Sequence, residues 1–487
     1  MSATKESFDD RMKSVLEYFF ALSRYPRRSG KEGAAVDYLE SWARGAGFAV
    51  ERDKEGNLLI DCPAFMSGEA SPNRPQLILQ AHIDMVCIAD DPAVDLDRMV
   101  VSPFVEGGTL RAAGTTLGAD NGIGIALAQH FATRPRTCPI RLVFTVDEEE
   151  TMAGARALDP SWLDAPYLAN LDSAFSDKLT VGAAGSCDVV VEKDVRPICG
   201  RLDAQGFEIV IAGLAGGHSG DDIGKGRSNA VRTALDVLGR LSSSGASWEL
   251  ASFEVSGASN ALAACACIRG NTESFALLEK ACSGAESFVR AACVDDAGAR
   301  VECRKRPAFD GCIEDGPAYV ELLRCLPEGI LAAAPDASCP ASLSSNIGTV
   351  ALSPDGFRAE CLIRFDSASE CEKCLAEFSA AACRFGASLE KTAQSAPWVE
   401  RAESRLADAY EKAYEDVVGD VPDRIVIHSA VECGELQLRN PRIDAISISP
   451  DIIDAHSVSE RVDLASMQKI IDVLERLIDS DLLDGAA

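Results

Sequence analysis

No apolar run in this 487-residue chain approaches the ~20 residues that a membrane-spanning helix needs. The opening MSATKESFDDRMKSVLEYFF also lacks the basic start and apolar core of a secretory signal, so the reading is a cytoplasmic protein. Basic residues are in short supply. The 47 Lys and Arg face 76 Asp and Glu, and the net charge of −29 is spread without long like-charge blocks. Such a field repels phosphate backbones and anionic lipid, so neither nucleic acid nor a membrane is expected as a partner. A second CxxC is missing beside Cys371 and Cys374, which removes the spacing of a structural zinc site. The 18 cysteines, in apolar contexts such as Ala264-Cys265-Ala266-Cys267, read mostly as buried free thiols. Histidine is scarcer still, at five.

What remains is ordinary globular usage, 47% hydrophobic and 25% charged, in a chain long enough for two large domains or three smaller ones. Apolar stripes through Val15-Leu16-Phe19-Phe20 and Ala35-Tyr38-Leu39-Trp42-Ala43 predict two helices, followed by a strand at Asn57–Ile60. Short apolar strands then end at His82, at the acids Asp147 to Glu150 and at Asp172, with a helix over Gly122–Phe131 between them. Strands alternating with helices predict an α/β fold with a mixed, largely parallel central sheet. The carboxyl ends of such strands are where open α/β sheets place their sites.

Residues 191–395 read instead as an inserted α+β domain, which divides the remaining fold into 1–190 and 396–487. Within the insert, Ala264–Arg269 followed by Leu277-Leu278-Glu279 echoes Ala359–Arg364 followed by Leu375-Ala376-Glu377, 95 residues later. The echo points to two similar modules, with coincidence as the alternative.

His82, Asp120, Glu149, Asp172 and His456 supply the imidazoles and carboxylates that a dinuclear metal centre needs, one carboxylate bridging. Singly, each has a plainer reading: a structural strand-end His, or a turn Asp in Gly118-Ala119-Asp120-Asn121-Gly122. Together, the order and contexts resemble the zinc-dependent exopeptidases of the glutamate carboxypeptidase and aminoacylase type, most closely their aminoacyl-histidine dipeptidase branch. The motifs are Gln80-Ala81-His82-Ile83-Asp84, Leu117-Gly118-Ala119-Asp120-Asn121, Val146-Asp147-Glu148-Glu149, Asn170-Leu171-Asp172, Gly216-Gly217-His218-Ser219-Gly220, Glu432-Cys433-Gly434 and His456-Ser457. They span nearly the whole chain.

The resemblance implies a dizinc catalytic domain with an inserted lid domain, and a dipeptide substrate with some preference for C-terminal His. It puts His82 and Asp172 on one divalent ion, Glu149 and His456 on the other, and Asp120 between them, with Zn, Mn or Co suiting such donors. Glu148 is then the general base, and Asp84 orients the His82 imidazole unless it is an exposed strand-end acid. His218 reaches the scissile carbonyl oxygen, the alternative being a structural turn residue. Arg364 binds the terminal carboxylate, the alternative being a salt-bridged surface Arg. Asn260 and Asn346 add amide contacts. His428 either touches substrate or closes a strand, and His130 on its apolar helix is core or surface.

Related activities also fit the pattern: an N-acyl amino acid amidohydrolase, a tripeptide aminopeptidase, or a silent binding protein, against which the intact Glu148 argues. Shorter relatives dimerise through a single lid module. A duplicated module therefore implies an internal counterpart of that dimer, leaving monomer or homodimer open. Three departures stand out: Ala81 replaces the usual Gly, Glu150-Thr151 replaces a small-residue pair, and Asn260-Ala261-Leu262-Ala263 lacks the customary Pro. None removes a proposed ligand or the base.

Overall fold

The computed structural model describes residues 8–64, 76–136, 138–201, 203–335, 339–479 and 483. The chain divides into two compact units: residues 1–183, 398–426 and 431–487 form the first, and 184–397 with 427–430 the second. The division falls at Ala184 rather than after 190 because strand Gly185–Lys193 pairs along both edges with strands of the second unit. Among the described residues, no helix is long and apolar enough to cross a membrane.

The first unit is built on an eight-stranded mixed sheet. Four neighbouring strands, Ile140–Thr145, Leu77–His82, Tyr167–Asn170 and Asp444–Ser447, run parallel. Antiparallel strands flank them, including Ala49–Arg52, which the hydrophobic pattern does not announce because none of its residues is buried. The Leu77–His82 strand is buried at every position, as expected for a strand covered on both faces. Helices Asp10–Leu22, Ala119–Thr133 and Leu464–Ile478 contribute Phe19, Phe131, Ile470 and Leu474 to its core. Arg136, buried just past the middle helix, satisfies that helix's last carbonyls by donating to Phe131 and Ala132, and its other arm reaches the carbonyl of Cys62.

The second unit carries one nine-stranded sheet whose two halves trace the same path. From the centre outward, one half runs Trp248–Val255, Ala266–Thr272, Gln205–Ala212, Arg300–Arg306. The other runs Leu343–Ser353, Gly356–Phe365, Gly185–Lys193, Ser388–Ser395. In chain order the first half reads strand, helix, two strands, helix, strand, and the second reads the same with one added short strand, Gly329–Ala332, which pairs with Leu343–Ser353 and is the ninth of the sheet. The halves join where Phe253 pairs Leu352. The 95-residue echo falls on the second strand and following helix of each half, and Arg269 and Arg364 sit opposite Glu208 and Ser186 in matching registers.

All 18 cysteines are free thiols, and most are buried. Cys265 is a correction to the expectation from its Ala-rich context: it is exposed, because Leu262–Cys265 runs as loop before the strand begins at Ala266. Cys371 and Cys374 are buried on helix Ala368–Phe385, where both join the apolar core.

Candidate metal centre

The carboxyl ends of the four parallel strands each release a loop that carries one or two polar residues of the set. His82 is the last residue of its strand, Glu148 and Glu149 follow Ile140–Thr145, Asp172 follows Tyr167–Asn170, and His456 follows Asp444–Ser447. Asp120 enters from the start of helix Ala119–Thr133. Asp147 and His456 both adopt left-handed backbone, with φ of 57° and 59°. Non-glycine residues are held there only where the surroundings over-determine them.

The side chains converge. His82 Nε2 lies 3.1 Å from Asp120 Oδ1 and 3.4 Å from Asp172 Oδ1, while His456 Nε2 lies 3.2 Å from Asp120 Oδ2 and 3.1 Å from Glu149 Oε1. Asp120 thus offers one oxygen to each imidazole. Glu148 Oε2 stands 4.0 Å from His82 Nε2 without entering the ligand contacts. His82, Asp120 and Glu149 each present a ligand atom within 4.8 Å of the others.

The electrostatics show how strongly these groups act on one another. Burial and the Asp120 carboxylate push Glu149 up to about 7 against the pull of His456. Burial likewise raises Asp172 to about 6, with Asp120 adding and His82 opposing. Burial would lower the pKa of His456, but hydrogen bonds to Asp120 and Glu149 carry it up to about 11. Left to itself, the cluster holds protons to offset crowded negative charge. Divalent ions that accept imidazole and carboxylate donors do the same with better geometry, and binding them would release those protons. The residues present therefore fit a metal centre.

Asp84, fully buried, is not an exposed strand-end acid. It lies 3.4 Å from His82 Nδ1, accepts the backbone N–H groups of Glu148 and Glu149 at 3.0 and 3.1 Å, and takes the Ser29 hydroxyl at 2.7 Å. One carboxylate thus aims an imidazole and the turn that carries both glutamates. Burial alone would raise it, but these bonds hold it below the usual carboxylate range.

Residues 78–480 match the family described as Peptidase family M20/M25/M40. The chain belongs to that family. It is 28% identical over 475 residues to the cytosol non-specific dipeptidase of Escherichia coli (strain K12), covering 95% of this chain and 96% of the relative. The crystal structure of aminoacylhistidine dipeptidase from Vibrio alginolyticus shares 26% identity and superposes with a TM-score of 0.79, 96% of each chain being covered. A tripeptidase from Staphylococcus aureus, at 15% identity and a TM-score of 0.55 over 97% of this chain and 99% of its own, shares the M20 fold.

Sequence reasoning missed the residues that brace this M20 site from behind. The buried Glu460 carboxylate accepts the N–H groups of Leu117, Gly118, Ala119 and Asp120 at 2.7 to 3.3 Å, fixing the turn that delivers Asp120. Arg27, also buried, donates to the carbonyls of Ile83, Asp84 and Gly118 and ties the first motif to the second. Asn121 donates to the Leu171 carbonyl and to the Asp172 carboxylate. Glu432, within a quoted motif but given no role, is buried, accepts from Gln80 at 2.6 Å and Thr145 at 2.8 Å, and is pushed up to about 7, chiefly by burial. Asn121 and Glu432, inside quoted motifs, had a local signal, whereas Arg27 and Glu460 had none. Asp147 and Glu150 stay outside the cluster, and Glu150 is exposed.

Other expected residues gather within the second unit. Arg364 is buried, not a surface residue; its Nε donates to Ser219 Oγ at 3.1 Å and its Nη2 to His218 Nε2 at 3.0 Å. Among the described residues no carboxylate stands within 4.0 Å of it, whereas its counterpart Arg269 pairs with Glu208 and Glu254 at 3.1 Å each. Burial lowers Arg364 to about 10, with Asp221 and Asp188 opposing. His218 Nδ1 faces Asp221 Oδ2 and Ser429 Oγ, each at 3.4 Å. His428 is buried, bonds Ser344 Oγ at 2.7 Å, and is held near 4 by burial and by Arg364, so it is neutral. Asn260 is exposed, and its backbone carbonyl accepts from Ser219 N–H. Asn346 is structural: its amide donates to the carbonyls of Ser259 and Ala261 and braces that loop. His130 is core, bonded to Ser14 Oγ at 3.1 Å.

Proposed function

We propose that this chain hydrolyses the peptide bond of small unblocked dipeptides at a centre of two divalent ions, most readily zinc, with manganese or cobalt able to serve. One observation carries the reading: a single carboxylate, Asp120, spans two imidazoles while the half-buried Glu148 carboxylate stands 4.0 Å from one of them. His82 and Asp172 would hold one ion, Glu149 and His456 the other, with Asp120 shared. Bound there, the ions supply Lewis acidity and make water a nucleophile near neutral pH. Glu148 takes the proton from the attacking water and delivers it to the departing amine. Asp84 holds the turn of Glu148 through its backbone bonds to residues 148 and 149 and faces the His82 ring at Nδ1. His218 serves as the donor for the scissile carbonyl oxygen once its Nε2 parts from the Arg364 guanidinium, with Asn260 and His428 as further substrate contacts. Related dipeptidases in Escherichia coli and Vibrio alginolyticus support the substrate class, and the cytosolic name of the former supports a cytoplasmic location.

The test is a panel that pairs each dipeptide with its N-acetylated form. Hydrolysis of the free dipeptides with little on the blocked forms is the expected result. The reverse preference would make the chain an N-acyl amidohydrolase.

Arg364 supplies a second expectation. A buried guanidinium with no carboxylate partner among the described residues is poised for the substrate's terminal carboxylate. Arg364→Ala is expected to lower kcat/KM for free dipeptides on the order of 10²-fold, the scale of losing one side of a buried charge pair. The loss should shrink on C-terminally amidated substrates. Equal losses on both would remove Arg364 from that role.

A further inference from the structure

Two loops that bear metal-centre residues also hold large apolar side chains out in water. Phe175 follows Asp172 by three residues and is 44% exposed, and Ile453 precedes His456 by three and is 36% exposed. The loops are fastened to each other. Ile452 N–H donates to the Ala174 carbonyl at 3.3 Å, and Ser176 N–H donates to Asp451 Oδ1 at 2.6 Å. Lys469 Nζ anchors Ser176 Oγ at 2.9 Å, and the Lys178 ammonium caps the Phe175 ring 4.3 Å from its centroid. These apolar groups are therefore held in place on a braced surface, so they can contact a ligand at little cost in lost side-chain freedom.

Scattered exposed apolar residues are ordinary on any protein. Here two of them stand at equal sequence distance from candidate ligands, on loops bonded to each other. The residue whose carbonyl is attacked at the metal centre is the N-terminal one of a dipeptide, and its side chain branches one bond from that carbonyl. It therefore lies against the loops that frame the centre. Among the described residues of these two loops, Phe175 and Ile453 are the exposed large apolar side chains, and they form the loops' apolar contact surface.

We propose that Phe175 and Ile453 form a specificity wall for the side chain of the substrate's N-terminal residue, favouring larger apolar groups over glycine. The proposal rests on the hydrolytic reading above. It goes beyond that reading by naming which substrate side chain is selected and by which residues.

The experiment measures kcat/KM for Gly-His, Ala-His, Leu-His and Phe-His on metal-loaded wild type, Phe175→Ala and Ile453→Ala. Wild type is expected to favour Leu-His over Gly-His, and each alanine variant should reduce that ratio about tenfold, the scale on which apolar pockets discriminate by small differences in hydrocarbon. Phe175→Leu, which keeps an apolar surface and reads the same ratio should the alanine variant fold poorly, is expected to retain most of it. A ratio unchanged in the variants, because both substrates lose alike or neither loses, overturns the wall. Failure of metal-loaded wild type to hydrolyse any of the four overturns the hydrolytic reading and the wall with it.

Discussion

Glu148→Gln is expected to bind metal as the parent does and to lose on the order of 10²–10⁴ in kcat on any good dipeptide, the usual worth of a positioned general base. The amide matches the carboxylate in shape, and the backbone N–H of residue 148 stays bonded to Asp84 whichever side chain is present. The ligand contacts do not pass through Glu148, whose nearest approach to His82 is 4.0 Å. What the substitution removes is the capacity to accept a proton. Neighbouring acids cannot take over without moving: Glu149 is committed to His456, and Asp84 to His82, Ser29 and two backbone amides. Steady-state kinetics with metal content measured on the same sample checks this. Near-normal kcat at full metal occupancy would assign the base elsewhere.

How much of this site the sequence could reveal depended on distance along the chain. His82, Glu148 and Asp172 each stand where a short apolar strand stops, and a strand that stops in a parallel sheet opens onto the site edge. Those positions were readable because a local pattern encodes them. Glu460 grips the turn before Asp120 from some 340 residues away, and no local pattern in Val458-Ser459-Glu460 distinguishes it from a solvated acid. Arg27 was hidden for the same reason: its partners are backbone carbonyls, which look alike in any sequence.

The second unit shows both outcomes. The echo at Arg269 and Arg364 was visible because it repeats a strand and a helix, but the different fates of the two arginines were not. Arg269 meets Glu208 across the strand pair where Arg364 meets Ser186, so one fork is paired with acids while the other donates to Ser219 and His218, with no carboxylate within 4.0 Å among the described residues. Residues 427–430 go with the second unit although the chain on either side belongs to the first, and His428 is seated there by Ser344, 84 positions away. Composition gave no warning of that exchange. Cys265 was read as buried from its apolar Ala-rich context, but the backbone there is loop and leaves it exposed.

Removal of metal has the largest expected effect. The imidazoles and carboxylates of His82, Asp120, Glu149, Asp172 and His456 converge at 3.1 to 3.4 Å, with burial and Asp120 pushing Glu149 up to about 7 and hydrogen bonds to Asp120 and Glu149 carrying His456 up to about 11. Few other purposes would justify packing mutually repelling acids around two histidines at the ends of four buried strands. Protein stripped with a chelator and verified by elemental analysis should hydrolyse no dipeptide, and stepwise addition of Zn²⁺, Mn²⁺ or Co²⁺ should restore turnover as two ions per chain are bound. Dipeptide hydrolysis at the full rate by protein shown to contain no metal would contradict the account at its centre.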